Sequence, residues 1–90
     1  SSADCLNMGI ANKVVELDQL VSETKKWAEH LSKRSPQALS LTKKLMNDSM
    51  TQSYDETFKA EAEAQNNIFG SDENMEGVKA FLEKREPDFK

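Results

Sequence analysis

Apolar residues recur along most of this chain at helical spacing. Leu17, Leu20, Val21, Thr24, Trp27, Ala28 and Leu31 fall at i, i+3, i+4, i+7, i+10, i+11 and i+14, with Glu23, Lys25, Lys26, Glu29 and Lys33 on the other side. That pattern predicts an amphipathic helix from about Asp18 to Lys33. Ser35-Pro36 reads as an N-cap followed by a first helical residue, because proline has no N–H to leave unsatisfied in a first turn. The helix it opens runs to about Asp48, with Ala38, Leu41, Leu45 and Met46 available for one face. Ser53 and Glu56 have the spacing of a capping box. Tyr54, Phe58, Ala62, Gln65 and Phe69 follow on one face, and Gly70 suits the position after the helix. Ser71-Asp72-Glu73 starts a last helix, its carboxylates favourable at the positive end of the dipole. Met75, Val78, Phe81 and Leu82 give that helix an apolar side, and Pro87 stops it.

The first fifteen residues differ. Ser2–Met8 reads as one short helix closed by Gly9. The run Ile10-Ala-Asn-Lys-Val-Val15 is β-flavoured, yet no other segment offers a partner strand. An isolated strand leaves its ladder groups unpaired. The run is therefore either extended chain packed on helices, or a strand whose partners lie in other polypeptide. The expected fold class is all-α: a small bundle of about four helices, a short N-terminal helix and one extended segment over residues 10–15. Residues 1–90 are expected to form a single helical domain.

Composition narrows the functional classes. Ninety residues with 37% apolar content support only a thin core. No apolar run approaches the roughly 18 residues of a membrane helix, so no membrane partner is expected. The start SSADCLNMG lacks the basic and apolar regions of a signal peptide. A single cysteine, Cys5, precludes an internal disulfide framework and fits a reducing compartment. The net charge of −4 argues against a nucleic-acid footprint. Seven basic and six acidic residues lie in 1–50, but five and ten in 51–90, so the acidic excess is C-terminal.

The inventory also removes chemistry. One His and one Cys, without CxxC or HExxH, do not assemble a typical zinc site. His30 lies in a helical run with no nucleophile elbow, and the three glycines are too dispersed for a phosphate loop. Asp72-x-Asn74-x-Glu76-Gly77-x5-Glu83 nearly fits a calcium-binding loop, but Lys79 stands where an apolar residue is usual. A capped helix accounts better for the apolar residues within it, so no metal site is expected. Asp48-Ser49-Met50 echoes the phosphopantetheine serine of acyl carrier proteins, which needs the start of a helix for its phosphate. Ser49 instead follows one. An acyl-carrier-like module or a small adaptor is the alternative reading.

Three segments, in order, resemble the C-terminal third of the crotonase superfamily, the enoyl-CoA hydratases and isomerases. ADCLNMGIANKVVELDQL is similar to the short helix and N-K-V-V strand of that family. SPQALSLTKKLMN looks like its P-x-A-x-x-x-x-K helix. SDENMEGVKAFLEKREPDFK resembles its terminal signature, the most specific of the three. The resemblance implies that the run over 10–15 belongs at the edge of a spiral catalytic core absent from this chain. It implies self-association as trimers or hexamers, an acyl-CoA partner, and hydration or double-bond isomerisation of enoyl-CoA thioesters in fatty-acid metabolism. Localisation would be cytoplasmic, or the mitochondrial matrix in a eukaryote. No catalytic residue carries over, because the family's oxyanion-hole amides and proton-shuttling glutamates lie in earlier segments; the chain alone should be inactive. No cofactor is required, coenzyme A entering as part of the substrate. The terminal helix of the family lends an aromatic residue and a lysine to the adenine-phosphate end of CoA, and the matching positions are Phe81 and Lys84.

Overall fold

The computed structural model describes residues Ser1–Phe89, which form five α-helices and no strand. They fall into two compact units, Ser1–His30 and the part from Leu31 onward. In the first unit, α1 (Ser2–Asn7) is capped by Ser1, whose Oγ accepts from the Asp4 amide while the Asp4 carboxylate reaches back. Residues 10–15 pair with no strand. They begin by folding over the end of α1, where the Cys5 carbonyl accepts from the Ile10 and Ala11 amides at 2.9 and 3.0 Å. A 3₁₀ turn over Leu17–Gln19 takes the place of the first helical turn expected at Asp18, and α2 follows over Leu20–Ser32. The Lys13 ammonium donates to Glu23 Oε2 at 2.5 Å, tying the irregular segment to α2.

The second unit holds α3 (Pro36–Asp48), α4 (Tyr54–Ile68) and α5 (Asp72–Glu83). Their starts are those the sequence marks. Ser35, Ser53 and Ser71 each accept from the amide three residues on, and Ser53–Glu56 closes a full capping box. The Ser53 amide and hydroxyl hold the Glu56 carboxyl below its ordinary range. Between α4 and α5, Phe69 (φ −61°, ψ 122°) and Gly70 (φ 80°) build a type II turn closed by the Ser71 amide on the Ile68 carbonyl at 2.9 Å. Only glycine reaches that positive φ without a steric penalty.

Helix positions match expectation, but helix orientation does not. On α4 the face turned inward is Thr57, Ala60, Ala64 and Ile68; Tyr54, Phe58 and Phe69 of the expected apolar face are exposed. The Tyr54 and Phe58 rings stack on each other at 6.4 Å instead of on the bundle. On α5 the same reversal occurs: Ala80 is buried, while Met75, Val78, Phe81 and Leu82 all stay exposed. On α3, Ala38, Leu41 and Leu45 point inward as expected and Met46 does not. Among the described residues the buried apolar ones are two alanines, Ala64 and Ala80. α2 behaves likewise, with Leu20, Val21, Trp27 and Leu31 each about half exposed or more.

One carboxylate joins the ends of this unit. Glu73 Oε2 accepts from the Ser35 hydroxyl and, at 3.1 Å, from the Gln37 amide. The residue expected to serve the positive end of its own helix thus serves that of α3. Hydrogen bonds to a charged group contribute about 1.5–3 kcal/mol. Glu73→Ala should therefore destabilise this unit by about that much in chemical denaturation followed by far-UV circular dichroism. An unchanged midpoint would show that α5 is held to α3 by other contacts.

Candidate functional site

The two residues singled out by their sequence positions sit one turn apart at the C-terminal end of α5. Phe81 is 82% exposed, and Lys84 is the residue that ends the helix. Lys84 adopts φ 54°, ψ 41°, the only non-glycine residue with positive φ among those described. Its amide donates to the Phe81 carbonyl at 3.3 Å and the Arg85 amide to the Ala80 carbonyl at 3.1 Å. These are the two bonds of a Schellman motif, which usually carries glycine at the left-handed position. Helix α5 is thus stopped at Lys84, three residues ahead of Pro87, by backbone reversal and not by proline.

Beside Phe81 runs a groove of about 410 Å³ whose walls include Ala38, Ile68, Val78, Leu82 and Phe89. Its lining supplies an aromatic face and apolar surface, open to solvent. The Lys84 ammonium has no ion pair among the described residues. A free cation is needed at this place, because the carbonyl end of a helix repels an anion. The pair can therefore stack an aromatic ring on Phe81 and offer Lys84 to a phosphate as a compact charge.

Two further residues share this end of the helix. The Arg85 guanidinium forks onto Glu76, with Nη1–Oε1 at 2.6 Å and Nη2–Oε2 at 3.0 Å, and its Nε donates to Glu83 at 2.6 Å. Glu76 Oε1 also accepts from the Asp88 amide at 2.8 Å. Arg85 chiefly, helped by that amide, holds the Glu76 carboxyl down at about 2, and Glu76 raises the guanidinium in turn. Spacing alone does not reveal this pair, since nine residues on a continuous helix would separate them by about 13.5 Å. The reversal at Lys84 brings them together.

Other sequence signals resolve differently. The residues that fit a calcium loop, Asp72 to Glu83, form one unbroken helix, with Gly77 inside it and Glu76 engaged by Arg85. Ser49 caps the carbonyl end of α3, its hydroxyl donating to the Met46 carbonyl at 2.7 Å. That is the wrong pole for the phosphate of a phosphopantetheine arm. In the first unit, a cleft of about 290 Å³ lies between the irregular segment and Trp27. At its rim Lys13 and then Lys26 hold Glu23 down at about 2. Its charges are paired with one another, which leaves no reactive group poised there.

The whole chain, residues 1–90, matches the family model described as enoyl-CoA hydratase/isomerase. The chain belongs to this family, within the crotonase superfamily. It is 34% identical over 86 residues to a crotonyl-CoA hydratase of Syntrophomonas wolfei, covering 96% of this chain and 33% of that protein. It is equally 34% identical, over 87 residues, to a methylmalonyl-CoA decarboxylase of Escherichia coli, covering 93% of this chain and 33% of that one. Among solved structures, an enoyl-CoA hydratase from Polaromonas sp. superposes with a TM-score of 0.93 at 28% identity, over 100% of this chain and 35% of its own. An enoyl-CoA hydratase subunit from Geobacillus kaustophilus gives a TM-score of 0.90 at 33% identity, over 100% and 35%. The chain thus spans about a third of the length of the relatives it matches.

The Glu76 carboxyl is depressed from an ordinary 4.5 to about 2, so it stabilises the folded chain at pH values above 4.5. That contribution is lost as pH falls from 4.5 toward 2, where the folded-state carboxyl takes up its proton. A ¹³C NMR titration of the Glu76 side chain should therefore show a midpoint near 2. A midpoint above 4 would mean that Arg85 does not hold the carboxylate in solution.

Proposed function

We propose that this chain is the C-terminal helical segment of an enoyl-CoA hydratase/isomerase-like protein, and that it serves the coenzyme A end of the substrate and self-association. One observation carries the CoA reading. A hydratase and a decarboxylase match this region equally well, and the substrates in their names share the CoA thioester and not the acyl chemistry. A region common to both serves the common part of the substrate. Phe81 and Lys84 have the right chemistry for its adenine and phosphates, and both are exposed. The parent reaction is hydration of an enoyl-CoA, or migration of its double bond, carried by polypeptide outside these residues.

The outward faces of α4 and α5 support the second role. Phe58, Phe69, Phe81 and Leu82 are 64–82% exposed, and burying each such side chain contributes roughly 1.5–3 kcal/mol. Large apolar side chains exposed in this number mark an interface with other polypeptide. Trimers or hexamers of the full protein, as a soluble cytoplasmic or mitochondrial-matrix enzyme, are the assembly this reading entails. An acyl-carrier function loses its site, because Ser49 stands at the wrong end of its helix.

Calorimetric titration with coenzyme A tests the reading. Binding should be weak and salt-sensitive, and Lys84→Ala should weaken it up to about fivefold, the range of one exposed ion contact. The chain alone should not turn over crotonyl-CoA. Equal affinity in the wild type and Lys84→Ala, or clear turnover, would overturn it.

A further inference from the structure

We infer that Glu76 and Arg85 form a latch that positions Lys84, holding it in the left-handed conformation and leaving its charge free for an anionic ligand. The inference rests on the reading of Lys84 as a phosphate contact and assigns two residues to it that make no ligand contact themselves. Three observations combine. First, a lysine occupies a backbone conformation that favours glycine, with φ 54° and ψ 41°. A strained position persists only where its surroundings over-determine it. Second, the residues following Lys84 are tied back onto the helix at two points, both on one carboxylate. Arg85 binds Glu76 through both terminal nitrogens, and the Asp88 amide donates to Glu76 Oε1. With the ends so fixed, the intervening chain must reverse at Lys84, and Phe89 is returned to the groove beside Phe81.

Third, the latch engages the two carboxylates of α5 nearest its C-terminal end. Glu76 and Glu83 are the helix carboxylates nearest this end in sequence, and both are engaged by Arg85. Glu83, the residue before Lys84, would otherwise be a carboxylate available to it. With Arg85 occupying Glu83, the Lys84 ammonium is left without an ion pair among the described residues. Arginine suits this duty because its planar fork matches a carboxylate bidentately, whereas a lysine offers only a point charge. Glu76 and Arg85 are thus positioning residues, and Lys84 is the one that meets the ligand.

The test is Glu76→Gln in this chain, with adenosine 3′,5′-bisphosphate as the probe ligand. Two readouts are ligand-free: amide exchange at Arg85 and Asp88, and the HN–Hα coupling of Lys84. Both should move toward values of an averaged, frayed terminus. Affinity for the bisphosphate should fall at least threefold, although the variant is one charge more positive. Simple through-space electrostatics predicts the opposite, tighter binding. Unchanged or tighter binding with the exchange protection lost would overturn the positioning role. Retained protection and coupling in the variant would overturn the latch itself. Adding Lys84→Gly to Glu76→Gln should restore the Arg85 amide protection, since glycine favours the conformation, but not the affinity. If the wild type binds no bisphosphate, the phosphate reading of Lys84 fails. The exchange and coupling data then judge the latch alone, their change upholding it and their persistence refuting it.

Discussion

The second unit of this protein depends on a carboxylate that leaves its own helix. Glu73, in the first turn of α5, accepts from the Ser35 hydroxyl and the Gln37 amide at the start of α3. It thereby supplies negative charge to a helix terminus 36 residues earlier. Both partners are half-buried, where such a bond is screened less than at an open surface. Once α5 is anchored this way, its rotation follows. The side carrying Glu73, Asn74, Gly77 and Ala80 is turned inward, and the side carrying Met75, Val78, Phe81 and Leu82 is turned out. The position of the Phe81–Lys84 pair is a consequence of that rotation.

The outward apolar stripes of α4 and α5 set these helices apart from those of an ordinary amphipathic bundle. An amphipathic helix ordinarily spends its large apolar residues on its own core. Here α4 packs on α3, with Ala60 and Ala64 on its inward side and Leu41 and Leu45 on that of α3, and its phenylalanines remain outside. Small residues allow close approach but remove little apolar area from water. Helices α4 and α5 therefore keep exposed apolar faces, in a chain about a third the length of the relatives it matches. In the first unit, the irregular run over residues 10–15 is rich in β-branched residues yet pairs with no strand.

Much of this was written locally. Ser35-Pro36, Ser53-x-x-Glu56, Ser71 and Gly70 announced where helices begin and where the chain must turn, because capping is a contact between residues three apart. All three caps form as the spacing implies. The terminal signature likewise pointed to Phe81 and Lys84, and the family to which the chain belongs agrees with its three ordered motifs. What the sequence could not convey was the direction in which each helical face looks. Periodicity reports that a helix has an apolar side, but not whether that side meets this chain or another.

The same division holds at the end of α5. Residue types and short spacings determined the helices, their caps and the acidic C-terminal balance, and the family resemblance alone singled out Phe81 and Lys84. Tertiary structure decided that the helix stops at Lys84 instead of at Pro87, and that Glu76 meets Arg85 across nine positions. No propensity places a lysine in the left-handed region, so nothing local foretells the reversal. It exists because bonds formed after the turn, on a carboxylate more than two helical turns behind it, hold the chain there. Contacts between near neighbours can be read from a sequence. Those that exist only because the backbone has already turned back cannot.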